Sequence, residues 1–82
     1  MRYSAQIRAA RALLGWRQDQ LAKAAKVGLA TIQRIEQTPG VVQANFSTVM
    51  MLQGALERTG IKFVDDGETV GVVLQKKRWP EA

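Results

Sequence analysis

Between Gln18 and Glu36, Leu21, Ala22, Ala25, Val27, Ile32 and Ile35 recur at the spacing of inward-facing helix positions. That spacing predicts two short helices, over residues 18–25 and 29–37, joined by a tight turn. Helices this close need a small side chain where they cross, and Ala22 supplies it. Leu21, Ala25, Val27, Ile32 and Ile35 then form a shared apolar wedge. Gly28, Leu29, Ala30, Gln33 and Arg34 are left on the outer face of the second helix of the pair.

Charge is concentrated on the same part of the chain. The first 35 residues carry seven of the twelve Lys and Arg against one acid, Asp19; the remainder carries five against six acids. Positive charge on such a helix pair points to DNA, because phosphate neutralisation supplies most non-specific affinity. Charge alone would also suit RNA or a membrane surface.

At 82 residues the chain makes one domain, near the lower end of what a single core stabilises unaided. It has no Cys and no His, which excludes disulfides, thiolate zinc sites and His-based acid–base catalysis. A partner subunit is the expected source of extra stability. No apolar run approaches the roughly 18–20 residues needed to span a bilayer. The opening Met1-Arg2-Tyr3-Ser4 runs into Arg8 and Arg11, unlike a signal peptide. The expected location is the cytoplasm, with nucleoid association when bound to DNA. No cofactor, metal, membrane or small-molecule ligand is expected.

Two further helices flank the pair. Residues 4–14 form the first: Ser4 is the expected N-cap, Ile7, Ala10 and Leu14 recur at helical spacing, and Gly15 suits the position just past the end. Trp16 reads as an amphipathic plug between helices. Thr38-Pro39-Gly40 stops the third helix. Asn45 caps a fourth, with Phe46, Val49, Leu52 and Leu56 as its apolar stripe and Gly60 as its end. Met50 and Met51 are expected in packing gaps or a subunit interface. After Gly60 the period changes: Ile61 to Val64, a turn over Asp65-Asp66-Gly67-Glu68, and Thr69 to Leu74 read as a hairpin. Asp65, Asp66 and Glu68 are accounted for as turn residues, and no nucleophile–base arrangement accompanies them, so an enzyme is not expected. The tail, with Lys76, Lys77 and Arg78, reads as solubilising.

The pattern Gln18-x-x-Leu21-Ala22-x-x-Ala25-x-Val27-x-x-x-Thr31-Ile32-x-Arg34-Ile35-Glu36, with Arg11 upstream, resembles the Cro/C1-type (XRE) helix-turn-helix family of phage repressors and bacterial regulators. The resemblance covers about residues 4–59. It implies a mostly α, lambda-repressor-like domain of four to five helices, here followed by a C-terminal β-hairpin. The expected division is a DNA-binding domain over 1–60, a dimerising hairpin over 61–75 and a basic tail over 76–82. By the same resemblance Gln18 grips a DNA phosphate, Arg11 and Glu36 form a structural ion pair, and Gln43, Asn45 and Ser47 are backbone-contact candidates. Two positions depart from the family. Lys26 stands where Gly is frequent, and a left-handed non-Gly residue costs on the order of 1 kcal/mol. Gly28 replaces the Ser or Thr that often opens the recognition helix, a tolerated cap that forgoes a hydroxyl–phosphate contact.

Side-chain chemistry assigns the remaining roles. Arg34 is the first base-reading candidate, since a guanidinium matches guanine O6 and N7; a phosphate contact or an intramolecular pair is the alternative. Gln33 can read adenine or stand idle. Leu29 and Ala30 offer only apolar contact, suited to thymine methyls or to incidental packing, and Gly28 is grouped with them as a base-contact candidate. With so few polar readers, DNA shape is expected to share in specificity. Arg17, Lys23 and Lys26 are phosphate-clamp candidates, alongside their plainer role as solvated charges; Arg2 and Arg8 are weaker ones.

A lone hairpin is marginal in water, so it must lean on the helices or pair with another chain. With no obvious use within one chain for it or for the apolar face of helix four, a homodimer is predicted through Met50, Ile61, Phe63, Val70, Val72 and Leu74. Such a dimer would read a palindromic operator with half-sites about 34 Å apart and act sterically at a promoter. The resemblance implies frequent autoregulation and carriage on mobile elements. Two rivals use the same fold: a DNA-binding antitoxin, and an antiactivator that binds protein in place of DNA.

Overall fold

The computed structural model describes residues 1–75. Four helices are followed by a two-stranded sheet: α1 (Ser4–Leu14), α2 (Gln18–Ala25), α3 (Leu29–Gln37), α4 (Phe46–Glu57), β1 (Ile61–Asp65) and β2 (Val70–Leu74). The fold is mostly helical, as the sequence predicts. One core gathers Ile7 and Ala10 of α1, Leu21 and Ala25 of α2, Ile32 and Ile35 of α3, and Leu52, Ala55 and Leu56 of α4. Trp16 packs half-buried against it.

Two helix ends share one chemistry. After α1, Gly15 turns left-handed (φ 68°), so that Gly15 N–H reaches Ala12 O and Trp16 N–H reaches Arg11 O. After α2, Lys26 adopts the same conformation (φ 57°), with Lys26 N–H on Lys23 O and Val27 N–H on Ala22 O. Both are Schellman ends, in which the reversed residue satisfies carbonyls the helix leaves unpaired. Only the second does so without glycine.

The start of α1 differs from expectation. Tyr3, not Ser4, occupies the cap position, and Ser4 is the first helical residue. Its buried hydroxyl donates to Thr38 O at 2.9 Å, tying α1 to the end of α3. The free amides before α1 are taken instead by Gln6, whose Oε1 accepts from Arg2 N at 2.9 Å and Tyr3 N at 3.0 Å. The chain leading in is fastened to the loop after α3 by Ser4 N–H on Gly40 O and Val42 N–H on Arg2 O.

In α4, Asn45 caps as expected, its Oδ1 accepting from Thr48 N at 2.8 Å. Phe46 departs from the expected stripe. It lies 79% exposed in the first turn, where the helix projects past the core, and the buried stripe is Leu52, Ala55 and Leu56. The helix ends at Glu57, and Gly60 (φ 105°) turns the chain into β1.

The hairpin pairs antiparallel from Ile61↔Leu74 to Asp65↔Val70. Asp66 closes its turn, with Oδ1 accepting from Glu68 N at 3.0 Å and Thr69 N at 2.7 Å. Of the two supports open to a marginal hairpin, the helices of its own chain supply one. β2 packs against α1 and β1 against α4. Ile61 is 3% exposed, and Phe63, Val72 and Leu74 pack against the same core. The side chain of Ile61 is therefore withdrawn from the candidate dimer surface, because burial inside its own subunit leaves it nothing to offer a partner. Met50 and Val70, at 44% and 45%, keep accessible side chains.

Candidate nucleic-acid interface

The helix pair places its outer residues as the amphipathic pattern requires. Ile32 and Ile35 are buried beneath α3, and Gly28, Leu29, Ala30, Gln33 and Arg34 lie exposed on its opposite side. Gly28 caps α3 with extended backbone (φ −62°, ψ 143°), its carbonyl accepting from Thr31 N–H and Ile32 N–H. Gly28 has no side chain of its own, and a Cβ there would meet only Thr31 Oγ1 at 3.8 Å, so the first turn of α3 presents its backbone with Leu29 and Ala30 beside it.

Behind the exposed face sits a buried charge pair. Arg11 of α1 meets Glu36 of α3 in a bidentate fork, Nε to Oε2 at 2.8 Å and Nη2 to Oε1 at 2.7 Å. The Glu36 side chain is only 3% exposed. Removing a carboxylate from water is expensive, and the cost is offset here by direct charge and by saturation of its lone pairs. The third donor is Gln18 Nε2, which reaches Glu36 Oε1 at 3.1 Å. Arg11 uses Nη1 on Trp16 O at 3.1 Å, and Arg8 Nη1 donates to the Glu36 backbone carbonyl at 2.6 Å. One carboxylate thus joins the first residue of α2 to the last turn of α3 and to α1.

Gln18, the phosphate candidate, is held by this cluster. Its amide has one further N–H, and the backbone N–H groups of Gln18 and Asp19 open α2, where a helix end favours an anion. Arg17 lies beside them, but Nε bonds Asp19 Oδ1 at 3.0 Å. That guanidinium holds the Asp19 carboxyl below its ordinary value. The pair is solvent-exposed, so it costs little to open for a phosphate.

Arg34 is brought to the loop before α4: its Nη1 donates to Gln43 O at 3.3 Å. Of the alternatives the sequence leaves open for Arg34, an intramolecular contact is the one present in this structure. Asn45 and Ser47 are similarly engaged, Ser47 Oγ donating to Asn45 Oδ1 at 3.0 Å while Asn45 caps α4. Lys23 and Lys26 stand exposed at the α2 end. Lys76, Lys77 and Arg78 lie outside the described residues. Among the described residues no group of carboxylates could hold a metal ion, and no helix is long and apolar enough to cross a membrane.

Two organising residues escaped the sequence reading. Gln6 sits in a Tyr3-x-x-Gln6 frame whose first member is not Ser or Thr, so the usual box signature is missing. Arg8, a weaker DNA-contact candidate in the sequence, places its guanidinium on the carbonyl end of α3.

Comparison with known families matches residues 7–40 to the model described as helix-turn-helix. No curated protein and no solved structure matches the chain.

Proposed function

We propose, from the match of residues 7–40 to the helix-turn-helix family model, that the chain is a sequence-specific transcriptional regulator of the Cro/C1-type (XRE) family that binds an inverted-repeat operator as a homodimer. The observation that carries this reading is the bare outer face of α3, projecting beside the amide-rich start of α2 in the most basic part of the chain. In the proposed complex α3 enters the major groove. Arg34 leaves Gln43 O to reach a base edge, Gln33 reads a neighbouring one, and Leu29 and Ala30 contact thymine methyls near Gly28.

Phosphates flanking the groove are held by Gln18, Arg17, Lys23 and Lys26, and from the other side by the loop bearing Gln43, Asn45 and Ser47. These contacts set register and supply most of the affinity; the α3 side chains set the sequence. Residues 1–60 do the binding in this scheme, and residues 61–75 supply the dimer contact. Occupying a site at a promoter excludes polymerase, so the chain acts as a repressor, of its own gene among others.

The direct test is a gel-shift titration against the DNA upstream of the chain's own gene, with scrambled competitor and two salt concentrations. Competitor-resistant binding, with two chains per inverted repeat, is expected. Binding equal to the competitor's and erased by salt would leave only phosphate attraction and remove the operator reading.

A further inference from the structure

We infer that β2 is the strand by which two copies of this chain join, through antiparallel β2–β2 pairing centred on Val72. This deepens the homodimer reading above and rests on it. The ladder decides which backbone groups are free. Gln75 N–H bonds Gly60 O at one end and Asp66 N–H bonds Thr69 O at the other. In the register Ile61↔Leu74, the pairs Lys62↔Val73 and Val64↔Gly71 therefore exchange the hydrogen bonds. Val70, Val72 and Leu74 point their N–H and C=O groups away from β1, and among the described residues no backbone or side-chain group bonds them. Unpaired backbone groups of this kind are a template for another strand.

Composition selects the edge. β1 carries Lys62 and Asp65, the sort of charges that protect exposed strands, whereas β2 reads Val70-Gly71-Val72-Val73-Leu74 with none. Val70 and Val73 are also exposed.

Self-complementarity selects the occupant. With Val72 opposite its counterpart across a two-fold axis, Val70 faces Leu74 of the second copy, and every outward N–H and C=O of these residues finds a partner. Gly71 then faces Val73 of the second copy on the outer side of the sheet. A Cβ at Gly71 would meet nothing within 4 Å in the single chain, so that side has room for the neighbouring valine. A hairpin that is marginal alone becomes half of a four-stranded sheet.

The register makes a sharp test, because the chain has no cysteine of its own. Gly71 and Val73 of opposite copies form a non-hydrogen-bonded pair, with Cα atoms about 4.5 Å apart and within disulfide reach. Equal residues, 71 with 71 or 73 with 73, are offset along the strands and out of reach. The variants are Gly71→Cys, Val73→Cys and the double variant, oxidised mildly without DNA and compared by non-reducing gel and light scattering. The double variant is expected to give at least tenfold more covalent dimer than either single one. A dimer by light scattering with no such excess would overturn β2 pairing and leave the homodimer standing. A monomer at high micromolar concentration with no crosslink would overturn both, while DNA binding is scored separately by gel shift. Val70→Pro supplies a second readout: its N–H is unused within the hairpin, so the fold persists by circular dichroism while the dimer dissociation constant rises at least tenfold. Unchanged dimerisation in a folded Val70→Pro variant would also overturn the pairing.

Discussion

Gln6 Nε2 donates to the carbonyl of Gly71 at 3.0 Å and to that of Val64 at 3.1 Å, so one buried amide at the start of α1 spans both strands of the hairpin. Its Oε1 meanwhile closes the amides of Arg2 and Tyr3. All of the polar capacity of this side chain is used, which is what burial of an amide requires. Gln6→Leu keeps much of the volume and removes every one of these bonds. The expected loss is about 2–3 kcal/mol, since buried groups left unpaired cost more than the bond itself contributes. A urea melt reports it as a lowered midpoint.

The Arg11–Glu36 fork predicts asymmetric damage. Arg11→Ala strands a buried carboxylate and is expected to cost about 3–5 kcal/mol, whereas replacing both partners with apolar residues, as in Arg11→Met with Glu36→Leu, costs less than the sum of the single changes. A double-mutant cycle in chemical denaturation measures this. Additive losses would mean that the fork contributes nothing as a pair.

At the end of α2, Lys26 is the one non-Gly residue with positive φ among the described residues. Lys26→Gly relieves its left-handed strain and is expected to raise stability by up to about 1 kcal/mol. The same change deletes a charge beside the proposed DNA surface. If Lys26 holds a phosphate, the slope of log affinity against log salt falls by about 1. Stability and affinity then move in opposite directions, an outcome that separates the two effects in one variant.

Acid should loosen the hairpin turn. The Glu68 and Thr69 amides hold the Asp66 carboxyl below the ordinary value of 3.8. A group depressed on folding contributes stability above its unfolded pKa and loses it as pH falls through the folded one. The contribution of Asp66 is therefore intact at neutral pH and fades below about 3.8. Nuclear magnetic resonance titration of wild type should place the Asp66 midpoint under that value, and Asp66→Asn should flatten the acid limb of the stability profile.

Much of this was legible in the sequence because it is local. The bounds of α2 and α3 follow from Leu21, Ala25, Ile32 and Ile35, and the hairpin from Asp66-Gly67 between β-rich runs. Contacts distant in sequence were less visible. Ser4 has the local signature of a cap, but its hydroxyl donates to Thr38 O, far along the chain. Ile61 is a dimer candidate in the sequence because a one-dimensional pattern leaves open whether the hairpin leans on the helices or on another chain, and here it is buried against them. Phe46 has the right period for burial but lies a turn beyond the core. The open backbone edge of β2 is a property of register, which only the paired strands define.

Arg34 and Gln18 occupy different parts of the proposed interface, and their variants should fail differently. Arg34 must exchange its exposed bond to Gln43 O for a base edge, a small cost because that bond is long and solvated. Arg34→Ala is then expected to cost about 1–3 kcal/mol at the cognate operator and to relax preference at one base step. Gln18→Ala removes a phosphate donor and a ligand of Glu36 together, so binding weakens on every sequence while the preferred site is unchanged. Binding both variants to a randomised operator library measures affinity and preference at once. Uniform weakening by Arg34→Ala would reassign it to the DNA backbone, and an altered consensus for Gln18→Ala would show that the start of α2 helps to read sequence.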